Sequence, residues 1–276
     1  MADEVKLAEP NSIDAYAPRQ IAERVENAGV AKAGLATVPT LVLGVLAGAF
    51  IAFGAMLYVV VVTNSGLGFG PERLLGGVAF SLGLILVLVG GAELFTGNSL
   101  IIFALADGKI SLKSLLRNWG LVYLGNFLGA TAIALMVHWS GIHNLADGAV
   151  GATVMRIAEG KLALAPLEAF IRGILCNVLV CLAVWLCFAA RSVSGKILAI
   201  VFPISGFVAL GFEHSVANMY IIPAGSLAGS ELVTMAGYAA NLLIVTIGNV
   251  IGGGLLVALV YWLIYRKDWG PSNGLS

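Results

Sequence analysis

The chain is 276 residues long, 59% hydrophobic and only 11% charged. Soluble domains are about 25% charged, so the composition excludes an ordinary soluble fold and points to an integral membrane protein. Formal net charge is zero, which leaves no bulk attraction to nucleic acid.

Residues 1–37 are polar and carry no apolar core of a signal peptide, so no cleaved leader is expected. Within them Ile13, Ala17, Ile21, Val25 and Ala28 recur at three- and four-residue steps. The spacing predicts an amphipathic helix over 12–37 on the cytoplasmic face, with a membrane-surface or subunit-contact role and a gate as the alternative. Spanning a bilayer takes about 20 apolar residues in a helix. Segment 38–63 qualifies without a charge, 74–106 is too long for one span, and 119–137 is a third. Segment 140–166 is long enough for an external helix near 151–159. A fourth span covers 173–190, extended outward by 167–172; 197–227 is again overlong; the last lies within 232–265. Tail residues 268–276 read as disordered. The expected organisation is a cytoplasmic helix (1–37), a transmembrane domain (38–265) and a cytoplasmic tail (266–276). The architecture is all-α, with six spans of which the second and fifth are discontinuous.

With both termini cytoplasmic, inside segments carry eleven lysines and arginines, including Lys32, Lys109 and Arg266. Outside segments carry four: Arg73, Arg156, Lys161 and Arg172. This is the asymmetry of a chain anchored in a bilayer from the cytoplasmic side. Three spans per half would make the halves, 38–138 and 166–265, inverted repeats.

Motif pairs support the repeat. Gly91-Ala-Glu93-Leu94-Phe-Thr96-Gly-Asn98 and Gly211-Phe-Glu213-His214-Ser-Val-Ala-Asn218 share G-x-E-x-x-x-x-N at a separation of 120 residues. Gly125-Asn126-x-x-Gly129 and Gly248-Asn249-x-x-Gly252 follow at 123. Each G-x-E phrase interrupts an apolar run. An irregular backbone at membrane depth must face protein or a water-filled cavity. The half-helix after each break starts with free N–H groups and a positive dipole end, a field that favours anions and opposes cations.

Glu93 and Glu213 could simply cap their half-helices, and Asn98 and Asn218 could bracket the unwound backbone. Asn126 and Asn249 lie in helix-packing motifs, where they could bond across helices. His214 is the one histidine inside a span. Burial and facing half-helix ends disfavour its imidazolium, and an arriving anion favours it, which is the logic of a proton relay for weak acids. His138 and His143 fall near the outer end of the third span and read as interfacial. Phe80 and Leu84 lie four apart on one face, Phe207 lies in span five, and Leu94 sits in the first break. Together they offer an apolar throat that would block bare ions. Cys176, Cys181 and Cys187 have no metal spacing and read as packing. No metal and no cofactor is expected.

The phrases Phe80-Ser-Leu-Gly-Leu84, Glu93-Leu-Phe-Thr96, Leu179-Val-Cys-Leu-Ala-Val-Trp185, Gly211-Phe-Glu-His214-Ser-Val-Ala-Asn218 and Thr246-Ile-Gly-Asn249 resemble the formate/nitrite transporter family over roughly residues 20–265. The resemblance implies an aquaporin-like protomer, a homopentamer with one pore per subunit, and a bacterial-type inner membrane. It implies small weak-acid anions as substrates: formate, nitrite, hydrosulfide, acetate or lactate. By motif, Phe80, Leu84 and Phe207 would form the outer constriction. Leu94 and Thr96 would belong to an inner slit, Asn177 and His214 to a central polar pair, and Lys161 to the vestibule that attracts anions. Linker 228–237 is shorter than formate channels often carry. Thr96-Gly97-Asn98 is closer to the nitrite-type phrase and Phe80–Leu84 to the formate type, which leaves the preferred anion open. The alternatives are a hydrosulfide-preferring member and a neutral-solute channel of the aquaporin or glycerol type. No Asn-Pro-Ala phrase follows either break, and no Gly-x-Ser-x-Gly or His-Glu-x-x-His supports an enzyme.

Overall fold

A computed structural model describes residues 14–266. Tail 268–276, Lys6, Ile13 and Lys267 lie outside the described residues. The described chain is helical from end to end: α1 (Pro18–Gly34), α2 (Thr37–Val62), α3 (Phe69–Gly90), a 3₁₀ segment (Gly97–Ile101) running into α4 (Ile102–Ala106), and α5 (Leu112–Trp139). There follow α6 (Ala149–Leu162), α7 (Pro166–Ala189), α8 (Val193–Ala209), α9 (Ser215–Leu227), α10 (Met235–Val250) and α11 (Val260–Tyr265). Five stretches among the described residues are long and apolar enough to cross a membrane: α2, α3, α5, α7 and the run Met235–Tyr265. Two shorter apolar stretches, Gly97–Ala106 and α8, lie beside the breaks, and α9 follows the second break. The first span, expected at 38–63, is α2 at Thr37–Val62, whereas the third, expected at 119–137, begins seven residues earlier as α5, Leu112–Trp139. Burial is confined to one side of each long helix, and large apolar side chains such as Leu124, Phe202 and Leu243 stay exposed, as lipid permits.

Small residues set the closest approaches. A Cβ at Gly129 would lie 2.0 Å from the Val45 carbonyl oxygen, and one at Gly252 would lie 2.1 Å from that of Ile174. The backbones of α2 and α5, and of α7 and the last span, thus touch at matched positions. Residues Ile251–Leu259 take the wider π-helical winding between α10 and α11. Just before it, the Asn249 carbonyl accepts from Asn177 Nδ2 at 2.6 Å.

The amphipathic helix forms as α1, but its buried face meets protein. Ile21, Val25 and Gly29 are covered, and Ile21 and Val25 pack with Leu100, Phe103 and Trp185. The face is narrow and small enough to fit against the segment after the first break. Its Glu26 reaches Arg266 at 2.7 Å, tying the two ends of the described chain together.

Candidate transport pathway

Both breaks are built the same way. Gly91 ends α3 with φ +83° and Gly211 ends the α8 turn with φ +72°, a left-handed conformation that favours glycine. The next amide folds back to a carbonyl five residues earlier, Ala92 N to Val87 O at 2.8 Å and Phe212 N to Phe207 O at 3.0 Å. This is the helix-ending turn that satisfies orphan carbonyls. A buried asparagine then staples the unwound chain. Asn126 donates to Gly44 O and Glu93 O and accepts from Phe95 N, at 2.7, 2.9 and 2.9 Å. Asn249 donates to Gly173 O and Glu213 O and accepts from Ser215 N at the same three distances.

The two glutamates anchor duplicate networks. Glu93 accepts from Lys32 Nζ at 2.6 Å and from Asn98 Nδ2 at 2.7 Å. Asn98 also donates to Asn118, and Asn118 returns to the Lys32 carbonyl. Glu213 accepts from Lys161 Nζ at 2.9 Å and from Asn218 Nδ2 at 2.7 Å. Asn218 donates to Asn241, which returns to the Lys161 carbonyl. The duplication draws in α1 and α6, which contribute Lys32 and Lys161.

The symmetry fails where chemistry enters. The position after the glutamate is Leu94 in one break and His214 in the other. His214 is buried. Its Nδ1 accepts the Ala217 amide at 3.0 Å, so α9 is capped by an imidazole and the ring proton resides on Nε2. Nε2 faces Thr96 Oγ1 at 2.9 Å, joining the two breaks. The half-helices differ too: α9 is a regular helix, whereas the first break runs into a 3₁₀ turn and the five-residue α4.

Two cavities flank this pair. The larger, about 330 Å³, is open and lined by His214, Phe80, Phe207, Arg73, Arg156, Lys161 and Arg172 among others. Phe80 and Phe207 meet edge-to-face at 5.6 Å, and Phe207 stacks on the His214 ring at 5.9 Å. The smaller, about 70 Å³, is lined by Leu84, Leu94, Val184 and the α1 residues Val25, Gly29 and Lys32. The profile of the formate/nitrite transporter family matches residues 19–263.

The chain belongs to that family. It is 42% identical to "Formate channel FocA" of Escherichia coli K12, over 94% of this chain and 97% of that one. Identity to the "Uncharacterized transporter YrhG" of Bacillus subtilis is 44%, over 91% and 94%. Among solved structures it is similar to a "Pentameric formate channel with formate bound", with TM-score 0.77, 39% identity, and coverage of 84% of this chain and 98% of that one. An "FNT family ion channel" aligns with TM-score 0.82 at 31% identity, covering 88% and 98%. Membership places the chain among membrane transporters and channels rather than enzymes.

Phe80, Leu84, Leu94 and Phe207 belong to one buried cluster; Leu84, about 6 Å along α3 from Phe80, lines the smaller cavity with Leu94, while Phe80 and Phe207 line the larger. Asn177 makes no recorded bond to His214. It donates to Thr96 O, Ser99 Oγ and Asn249 O, so the two side chains converge on Thr96 from opposite sides. Lys161 lines the larger cavity, but it sits on α6, is largely buried and is held by Glu213. Lys32, Asn118 and Asn241 were missed as members of the networks. Their signal was present: Asn118 and Asn241 stand eight residues before Asn126 and Asn249. Arg73, Arg156 and Arg172 were read only as orientation charges, yet all three line the larger cavity.

Proposed function

We propose that the chain conducts small monovalent weak-acid anions, formate and nitrite foremost, across a bacterial-type inner membrane as a homopentamer with one pathway per subunit. Hydrosulfide, acetate and lactate fall within the same chemistry. Both termini lie in the cytoplasm, so the larger cavity opens outward and the smaller inward. The reading is supported by the names and coverage of the relatives, by the charge asymmetry, and by four cations around the larger cavity. Such a cavity concentrates anions and gives a neutral solute no advantage.

The observation that carries the mechanism is the His214–Thr96 bond across the two breaks. A bare anion meets a large penalty between Phe80 and Phe207, whereas its neutral acid meets little. His214 is held neutral by its cap. A second proton must enter at Nδ1, releasing the Ala217 amide at about 1 kcal/mol. An anion beside the resulting imidazolium offsets that cost. The Nε2 proton then passes to the anion, the neutral acid moves on, and the histidine is left neutral with its proton on Nδ1; loss of that proton and uptake of one at Nε2 restore the Ala217 bond. One proton enters and one leaves with the anion.

Uptake of labelled formate, nitrite and glycerol into proteoliposomes tests both parts. His214→Asn keeps polarity and loses the titrating proton, so weak-acid uptake at acidic pH should fall sharply and lose its pH dependence while the oligomer still assembles. Wild-type pH-dependent uptake by an assembled His214→Asn channel would remove the relay. Glycerol flux without formate flux in the wild type would favour the neutral-solute channel.

A further inference from the structure

The larger cavity holds four cations whose commitments differ. Lys161 is paired with Glu213 at 2.9 Å. Arg172 gives Nη1 to the Gly211 carbonyl at 3.2 Å and Nη2 to Glu168. Arg73 gives Nε to the Ala209 carbonyl at 2.9 Å and records no bond from either Nη. Arg156, exposed on α6, records no hydrogen bond or ion pair among the described residues, although it lines the same cavity. Its neighbour Glu159, three residues on, is engaged by Ser230 at 2.5 Å. The arginines at the α8 turn crowd one spot: a side chain at Gly211 would meet Arg73 Nη2 at 2.7 Å and Arg172 Nη1 at 3.5 Å. Only a glycine lets both guanidiniums approach the backbone here.

We propose, resting on the transport reading above, that this cavity is a carboxylate-capture site in which Arg156 is the receiving cation. Arg73 and Arg172 fix the α8 turn and present their remaining N–H groups beside it. Lys161 is excluded from that role by its buried pairing. A guanidinium offers two parallel donors that match a planar, two-oxygen anion, and a spherical halide uses only one of them. The site therefore does more than raise the local anion concentration. It ranks formate and nitrite above chloride before either reaches Phe80 and Phe207. A volume of about 330 Å³ exceeds what formate needs, so the bound anion keeps part of its water.

The test uses the full chain in proteoliposomes, with labelled formate offered on the α6 side at low ionic strength. Arg156→Gln should raise the half-saturating formate concentration roughly threefold or more and leave maximal flux unchanged. Arg156→Lys keeps the charge and loses the fork, so most of the attraction should return while added chloride now competes with formate more strongly than in the wild type. An unchanged half-saturation in Arg156→Gln, with wild-type formate flux present, overturns the capture site and leaves the transport reading standing. Equal chloride competition in Arg156→Lys and wild type overturns the preference for planar anions. No formate flux through the wild type sinks the transport reading and this proposal with it. Arg156 is exposed and bonded to nothing described, so its variants should assemble, which size-exclusion chromatography checks.

Discussion

Lys161→Ala should unsettle the fold before it weakens anion attraction. Its ammonium lies 2.9 Å from Glu213 Oε1, with the lysine side chain 14% and the glutamate 4% exposed. Glu213 also holds Asn218, and the Lys161 carbonyl holds Asn241. Removing one partner of a buried pair leaves an uncompensated charge at about 3–5 kcal/mol. For a chain of this size that lowers the unfolding midpoint by on the order of 10 °C. A lone exposed cation would contribute only about 0–1 kcal/mol. The assay is thermal unfolding of purified protein in detergent for Lys161→Ala, Glu213→Gln and the combination Lys161→Met with Glu213→Gln. The first should be strongly destabilised and the combination should recover much of the loss, because no buried charge remains. A Lys161→Ala midpoint within 1–2 °C of wild type would refute the argument and return Lys161 to the solvent-facing role its family motif suggested.

Asn126→Ala and Asn249→Ala each orphan two backbone groups of the break, the Phe95 amide and Glu93 carbonyl or the Ser215 amide and Glu213 carbonyl, at about 1–3 kcal/mol apiece, so both should destabilise by at least about 2 kcal/mol. A marked inequality between them would show that the two breaks are not energetic equivalents. Phe80→Ala removes one ring of the edge-to-face pair; it should cost about 3–5 kcal/mol and admit chloride alongside formate. Retained selectivity in an assembled Phe80→Ala or Phe207→Ala channel would take the rings out of the pathway. Burial raises the Glu26 carboxyl above its ordinary range, with Arg266 and Lys109 opposing and Asp107 reinforcing. The docked state thus binds the proton more tightly, so α1 docking is favoured in acid and weakens as pH rises through the raised value. Amide exchange of α1, corrected for intrinsic rates, should be faster at pH 8 than at pH 5, and Glu26→Gln should flatten the difference. The reverse trend would count against it.

Much of the architecture was legible in the chain itself. Hydropathy alone finds the apolar lengths of α2, α5 and α7, because a helix in lipid must be apolar over a fixed length, though not the charged first turns of α5. The paired G-x-E phrases mark the two breaks, since a left-handed turn at Gly91 or Gly211 strongly favours glycine and a glutamate in an apolar run needs a partner. What no local pattern could supply is who that partner is. Lys32 lies 61 residues from Glu93, and Lys161 lies 52 from Glu213. A surface lysine and a buried, ion-paired one look alike in sequence. Only tertiary packing decided that α1 and α6 dock as counterparts, that Leu84 shares a cavity with Leu94, and that His214 meets Thr96 rather than Asn177. These are contacts between elements remote in sequence, where small residues set the distance of approach and the burial of a charge dictates its pairing.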